Sequence, residues 1–134
     1  MREKVFITGG SGLLALNWAL TIRENYSVVL GLFDKDIYLT DVQVQYISLE
    51  SVYDFIKVLE TIQPSLVIHT AGLTNVETCE AYPDLAQHIN VDLSINVAKA
   101  CSNLKLPQIH ISTDHLYSGN DSLIKETTPT SPLN

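Results

Sequence analysis

The sequence predicts an α/β fold in which a parallel β-sheet is covered by helices on both faces. Two observations support this prediction: short, continuously apolar runs alternate with longer segments of helical periodicity, and the most distinctive residues stand where the apolar runs end. Strands buried on both faces lose the alternation of a half-exposed strand, as these runs do. The 134 residues, 46% of them hydrophobic, are enough for one domain over residues 1–134 and few for two.

The first half of the chain predicts three strands and two helices. An apolar run, Val5–Thr8, leads into Gly-Gly-Ser-Gly and then into a segment of near-helical apolar spacing, which indicates strand, tight turn and helix. Strands are also predicted at Val28–Phe33 and Val44–Ile47, too close together for a full helix between them. Ser51 is a candidate cap for the second helix. The apolar positions of the two helices are Leu13, Leu14, Leu16, Ala19, Leu20 and Ile22, and Val52, Phe55, Ile56 and Leu59.

The second half continues the alternation. Pro64 ends the second helix before the strand Leu66–Ile68, and Pro83 opens a longer helix that precedes the strand Gln108–Ser112. That helix carries an apolar stripe of Leu85, Ile89, Leu93, Val97 and Cys101. Right-handed crossovers between such strands predict a Rossmann-type, doubly wound parallel sheet, whose ligands collect at the carboxyl ends of the strands.

Charge and composition limit which kinds of binding partner and which cellular compartment we expect for this protein. A net charge of −7 and a pI of about 4.8 provide no general basic field, so we expect no nucleic-acid and no membrane partner, and a small molecule instead. Met1 leads almost at once into the first strand, which predicts a cytoplasmic protein without a secretion signal. Cys79 and Cys101 lack CxxC spacing and are expected to be reduced thiols. The four histidines lack recurring ligand spacing, so no metal is expected.

The glycine-rich turn predicts a dinucleotide site. In the segment from Thr8 to Ala15, Gly9 and Gly12 take the first two glycine positions of the dinucleotide pattern and Ala15 takes the third. Side chains at Gly9 or Gly12 would keep a pyrophosphate from the backbone N–H groups and from the positive end of the following helix. The alternative is a tight turn with no ligand.

The residues after the second strand concern the choice of cofactor. Asp34 could accept hydrogen bonds from the adenosine ribose, which favours NAD, while Lys35 could pair with a 2'-phosphate, which favours NADP. The predicted cofactor is therefore NAD or NADP, with Asp34 weighing slightly toward NAD. Solvated turn charges are the alternative for both residues.

Several segments, in order along the chain, resemble one family. The turn at Thr8–Ala15 looks like the glycine motif of extended short-chain dehydrogenases and reductases. Three further parts of the chain resemble the dTDP-4-dehydrorhamnose reductases within that group: the segment Pro64–Glu77, Asn90, and the segment Ile111–Gly119. The last of these is similar to the family's Ser-Thr-Asp-Tyr-Val-Phe-x-Gly. The run Thr130–Asn134 looks like the residues just before the family's catalytic tyrosine.

The resemblance implies an oxidoreductase that reduces a 4-keto deoxysugar nucleotide with NAD(P)H. It places Thr113 in the Ser/Thr-Tyr-Lys catalytic set, and Thr74 and His115 beside the sugar nucleotide. The alternative for Thr113 is a hydroxyl that satisfies a loop backbone group. The predicted cofactor-binding residues combine those of the turn and the strand ends with those that the resemblance implies. They are Gly9, Ser11, Gly12, Leu13, Leu14, Asp34, Lys35, Ala71, Gly72, Leu73 and Asn90.

The sequence differs from the family pattern at two places, so functions other than the reductase remain as alternatives. Ser48 stands where the family has an aspartate toward the adenine, and the family's Tyr-x-x-x-Lys would follow Asn134. We therefore expect that this chain ends before the substrate-binding segment, does not catalyse the reaction alone, and is marginally stable or self-associating. The alternatives are a sugar-nucleotide epimerase or dehydratase, and a non-catalytic regulatory subunit resembling the beta subunit of methionine adenosyltransferase. A homodimer is a further partner expectation, with the oligomeric state left open.

Overall fold

Five parallel strands form a single sheet in the order β3-β2-β1-β4-β5. The computed structural model describes residues 2–120 and 122–132, so Leu133 and Asn134 of the family-like run lie outside it. The strands are β1 Lys4–Thr8, β2 Ser27–Leu32, β3 Val42–Tyr46, β4 Leu66–His69 and β5 Gln108–His110. The strand order reverses between β1 and β4, which confirms the predicted Rossmann-type sheet.

The helices connect the strands on both faces of the sheet. They are α1 Leu13–Ile22, α2 Val52–Ile62, α3 Val76–Ala81, α4 Pro83–Gln87 and α5 Leu93–Leu104, with a π-helical turn at His88–Asp92 and a 3-10 turn at Asp114–Leu116. Within the π-helical turn the Leu93 N–H donates to the His88 carbonyl, five residues back. The long helix predicted from Pro83 is therefore helical throughout but changes its hydrogen-bonding pattern midway.

Alternate residues of the three central strands, β1, β2 and β4, pack into two different hydrophobic clusters. Phe6 of β1 packs toward α2 and α5, whereas Val5 and Ile7 pack toward α1. The Phe6 and Phe55 ring centroids are 5.9 Å apart in the first cluster. Burying each of these side chains is worth about 1.5–3 kcal/mol, which explains why the strands are apolar on both faces.

Helix α1 packs with a different face from the one its leucines predicted. Ala15 and Ala19 are fully buried, whereas Leu13 is 81% exposed and Leu20 is also exposed. The alanines are four residues apart and lie on one stripe, where small side chains let the helix approach the sheet closely. Leu13, Leu14 and Leu20 therefore lie along the outer side and the amino end of α1, while Leu16 and Ile22 of the predicted stripe pack against the second cluster.

The helix ends are set by local hydrogen bonds and by backbone conformation. The Ser51 hydroxyl accepts from the Asp54 N–H at 3.2 Å, which confirms Ser51 as the cap of α2. At the other ends, Gln63 and Lys105 terminate α2 and α5 in the left-handed region, with φ of 53° and 54°. Neither residue is a glycine, the residue that adopts this conformation at the lowest cost.

Candidate nucleotide-binding site

The predicted site residues come together at one edge of the sheet. Because all five strands are parallel, the segments that follow β1, β2, β4 and β5 emerge at the same edge. The glycine turn after β1 and the loop 71–75 after β4 flank the point where the strand order reverses. This is where doubly wound folds bind their ligands.

Gly9 is required by the chain's own structure. Its φ is 66°, and a Cβ at this position would lie 2.7 Å from the Ala71 backbone nitrogen. Its neighbour Gly10 donates its N–H to the Gly31 carbonyl at 2.9 Å and packs against β2. The turn is therefore pressed between β2 and the loop after β4, which gives Gly9 an internal reason in addition to the predicted approach of a ligand.

Gly12 is less constrained than Gly9, both in its backbone conformation and in the space for a side chain. Its φ of −78° and ψ of 154° suit any residue, and among the described residues a Cβ would meet only the Gly9 carbonyl oxygen, at 3.1 Å. Gly12 is the N-cap of α1, where no side chain of the described residues caps the helix. Helices α2 and α3 begin instead with side-chain caps from Ser51 and Asn75. The amino end of α1 thus offers backbone N–H groups and a positive dipole end to an anion.

Asn90 holds the loop after β4 from the π-helical turn. Its Oδ1 accepts from the Leu73 N–H at 2.7 Å, and its Nδ2 donates to the Leu73 carbonyl at 3.1 Å. The Cys79 thiol donates to the same carbonyl at 3.6 Å, and a Cβ on Gly72 would lie 3.2 Å from Asn90 Oδ1. Asn90 was predicted among the cofactor-binding residues; its side chain engages Leu73 with both polar atoms and so positions the loop 71–75.

Thr113 begins the segment after β5. Its hydroxyl oxygen accepts from the His115 N–H at 3.2 Å and so caps the 3-10 turn, which is the loop role weighed as the alternative. His115 lies beside Asp114, with its Nε2 3.9 Å from the carboxylate. The Ser131 N–H donates to the Leu116 carbonyl at 2.7 Å, which brings Ser131 back onto this segment.

The remaining predicted residues are exposed at the same edge. Asp34 and Lys35 follow β2, and Thr74 lies in the loop after β4. The Ser48 hydroxyl accepts from the Glu50 N–H at 3.3 Å, so its loop supplies a partner for it. Asp34, which would favour NAD, and Lys35, which would favour NADP, are both exposed to solvent. The fold therefore does not show which cofactor is preferred.

Sequence reasoning missed the role of His69. This residue is almost fully buried beneath the turn, with Nδ1 2.7 Å from the Thr8 hydroxyl and Nε2 2.9 Å from the Ser94 hydroxyl. Burial and, secondarily, the nearby His110 lower the pKa of His69 to about 4. The sequence signal for this role was that His69 is a polar residue at the end of an apolar strand. Over residues 2–120 and 122–132, no three His, Cys, Asp or Glu side chains form a group suited to a metal ion.

The sheet order, the glycine turn and the uncapped helix end define a Rossmann-type α/β protein of the dinucleotide-binding class. The family model described as the RmlD substrate binding domain matches residues 3–134, and the chain belongs to that family. This confirms the resemblance seen in the sequence. In the described part of the chain, none of the helices has the length and apolar character needed to span a bilayer.

Three similar proteins show how the family is represented. The probable low-salt glycan biosynthesis reductase of Haloferax volcanii is 28% identical over 129 residues, which are 96% of this chain and 43% of that protein. Subunit beta of methionine adenosyltransferase 2 from Bos taurus is 29% identical over 98% of this chain and 39% of its own. The structure of dTDP-4-dehydrorhamnose reductase from Bacillus anthracis in complex with NADP has a TM-score of 0.83 and 29% identity over all of this chain and 45% of that one. The chain thus spans less than half the length of these proteins, and NADP, bound in the last, is one of the two expected cofactors.

Proposed function

We propose that this chain is the NAD(P)-binding part of an oxidoreductase that reduces a 4-keto deoxysugar nucleotide. The observation that carries the proposal is the amino end of α1, where Gly12 leaves the first-turn N–H groups without a side-chain cap at the point where the strand order reverses. Family membership and the NADP-bound reductase of Bacillus anthracis support the cofactor class.

The turn and the loop after β4 would hold the two ends of the cofactor's adenosine diphosphate part. Ser11, Gly12 and the exposed Leu13 and Leu14 would lie along the pyrophosphate. The backbone at 71–73, held by Asn90, would run beside the adenosine and its ribose. Residues 34–35 would meet the ribose edge, where a carboxylate favours NAD and a lysine favours NADP.

The proposed chemistry requires a hydroxyl at the keto oxygen. When bound, the nicotinamide supplies the hydride for C4 of the sugar. The Thr113 oxygen accepts from the His115 N–H, and its hydroxyl donates to Asp114 Oδ1 over a long 3.5 Å. In the proposed reaction the hydroxyl would turn from Asp114 and donate to the keto oxygen as negative charge develops there. Thr74 and His115, exposed on the two neighbouring loops, would contact the sugar nucleotide.

Gly12→Ser tests the proposed pyrophosphate site. Serine is at least as good an N-cap as glycine, but its Cβ would lie 3.1 Å from the Gly9 carbonyl oxygen, which must shift by a few tenths of an ångström. The two effects oppose each other, so the free energy of unfolding should change by less than about 1 kcal/mol. The added side chain stands where the anion would approach, so the Kd for NADPH or NADH should rise about 10-fold or more, measured by titration calorimetry on the 134-residue chain.

Gly9→Ser is the matched control. At a φ of 66° and 2.7 Å from the Ala71 nitrogen it should lower the thermal midpoint, because the chain itself has no room for a Cβ there. A wild-type chain that binds neither NADH nor NADPH would refute the cofactor site, and a Gly12→Ser variant with unchanged affinity would refute its placement.

A second candidate is a non-catalytic, NAD(P)-binding regulatory subunit. It is favoured by the match to the bovine methionine adenosyltransferase beta subunit over 98% of this chain. Steady-state oxidation of NADPH by the complete protein with keto-sugar nucleotides separates the two functions, because only the reductase consumes the cofactor. Isomerisation of a nucleotide sugar without net oxidation would identify an epimerase, the other alternative. For each function we propose the cytoplasm as the compartment, where the free thiols Cys79 and Cys101 stay reduced.

A further inference from the structure

We infer that His69 is a positioning residue for the cofactor site: a neutral imidazole, protonated at Nε2, that joins the end of β1 beneath the glycine turn to the π-helical turn that holds the loop after β4. The inference rests on the proposed function, because it concerns the geometry of the same site.

The protonation of Nε2 follows from Ser94. The Ser94 hydroxyl donates to the Asn90 carbonyl at 2.8 Å, and a hydroxyl has only one hydrogen to donate. Toward His69, 2.9 Å away, Ser94 can therefore act only as an acceptor. The hydrogen between them must belong to His69 Nε2.

Nδ1 is then an acceptor, because a neutral imidazole carries a single N–H and that hydrogen is on Nε2. The Thr8 hydroxyl oxygen accepts from the Thr70 N–H at 3.3 Å, and its own hydrogen points to His69 Nδ1, 2.7 Å away. Nδ1 must present a lone pair to receive it. Thr70 closes the arrangement by donating its hydroxyl to the Thr8 carbonyl at 2.7 Å.

The surroundings keep the ring in this neutral form. His69 is 1% exposed, and its ring stacks on His110 with centroids 5.3 Å apart. Burial and His110 together lower the pKa of His69 to about 4, so the imidazole is uncharged near neutral pH. A protonated ring would also direct a second N–H at the Thr8 hydroxyl hydrogen.

This set of hydrogen bonds joins the two segments that would hold the cofactor. Thr8 immediately precedes Gly9, whose backbone lies against Ala71. Ser94 donates to the backbone of Asn90, whose side chain fixes Leu73. His69 thus sets the position of the turn relative to the loop, and loss of the connection should affect binding more than folding.

Ser94→Ala tests the connection, with Ser102→Ala at the exposed end of the same helix as the matched control. Ser94→Ala should weaken NADPH affinity about 5- to 10-fold, whereas Ser102→Ala should leave it unchanged. Ser94→Ala should also lower the thermal midpoint, because it leaves the buried His69 Nε2–H without its acceptor, so affinity is measured well below the midpoints of both variants. Equal affinities of the two variants would overturn the inference.

Two further variants distinguish positioning from simple packing. The amide nitrogen of His69→Gln can reach the place of Nε2 and donate to Ser94, while the shorter amide of His69→Asn ends near Nδ1. Glutamine should therefore retain more NADPH affinity than asparagine, and equal losses would contradict the role assigned to Nε2. Nitrogen NMR of the wild type should show the Nε2–H tautomer at neutral pH, and a protonated Nδ1 would overturn the assignment. A wild-type chain that binds no nucleotide would refute the proposed function and the positioning role together, while the NMR result would still decide the tautomer.

Discussion

At the scale of single residues, the glycines of this chain are needed for different reasons. Gly9 is fixed by its positive φ, and Gly31, next to the last residue of β2, by the side chains of Phe6 and Ile47, which lie within 3 Å of the place of a Cβ. Gly12 has an ordinary φ, and a Cβ there would be close only to the Gly9 carbonyl oxygen, at 3.1 Å, among the described residues, so its constraint is weaker. A glycine that the protein itself barely needs is a sign that something outside the protein approaches the position.

His88 gives the protein a predicted pH dependence. Its Nε2 lies 3.0 Å from Glu50 and its Nδ1 3.6 Å from Asp92, and the hydrogen bond to Glu50 is the main reason why its pKa is raised. The stability that this ion pair contributes is fully present below the ordinary histidine pKa of 6.5 and is lost as pH rises through the higher folded-state value.

The measurement compares the unfolding free energy of wild type and His88→Gln across about pH 5 to 9. The advantage of the wild type should shrink as the pH rises. In a Glu50→Gln background the pH dependence should become weaker, since the main partner is neutral. A difference that stays constant with pH would contradict the ion pair.

Local signals predicted single residues well and remote partners poorly. Ser51 and the glycine turn could be identified because their roles depend on neighbours within a few residues. The partners of His69 are 61 and 25 residues away, so only the folded chain shows them. Asn90 came from the family resemblance, and the structure supplies its physical role.

At the scale of elements, the end of α5 can be improved. Lys105 adopts a φ of 54° at the helix terminus, a conformation that costs a non-glycine residue energy. Lys105→Gly should therefore raise the free energy of unfolding by about 0.5–1 kcal/mol, as measured by urea denaturation. Lys99→Gly, an exposed position inside the same helix, should lower it by about 1 kcal/mol. If both variants are destabilised, the left-handed end is not a source of strain.

The strands show why element boundaries were harder to predict than the elements. The predicted strand Gln108–Ser112 ends at His110, because its neighbour β4 ends at His69 and the two residues form the last pair. In the same way β3 begins at Val42, opposite Val28, rather than at Val44. An edge strand extends only as far as its partner, and the sequence does not contain that register.

At the scale of the whole molecule, the β5 side of the sheet is poorly covered. Ile109 of β5 is 44% exposed, and β5 has a sheet neighbour on one side only within the described residues. An apolar, open edge strand favours association between copies. The 134-residue chain should therefore associate at high concentration, as measured by sedimentation velocity, and Ile109→Thr should shift it toward monomer.

Val44→Thr provides the comparison, because Val44 is 43% exposed on the opposite edge strand, β3. Comparison of the two variants therefore shows which edge forms the contact: a larger shift toward monomer for Ile109→Thr assigns it to β5, and a larger shift for Val44→Thr assigns it to β3. Equal effects of the two variants would indicate a general apolar attraction, and a monomeric wild type would contradict the expected self-association.

The fold class and the family followed from the sequence because alternating apolar runs and a few motifs encode them. The preference for NAD or NADP did not, since Asp34 and Lys35 are adjacent, opposite in charge and both exposed. The fold class is predictable because the pattern of buried apolar residues specifies it. The cofactor preference is less predictable because it depends on solvent-exposed charges.

The π-helical turn also constrains how the gene can change. A π turn contains one residue more than the α-helix it interrupts, so deleting a residue within 88–92 would restore a regular helix. The helices on either side would keep nearly the same relative orientation, but a deletion between Asn90 and Ser94 would shorten their spacing from four residues to three. Asn90 and Ser94 would then no longer face Leu73 and His69 together, although a deletion in this exposed stretch would leave the hydrophobic core intact. Single-codon deletions here should therefore be rarer among descendants of this gene than the exposure of the segment alone would suggest.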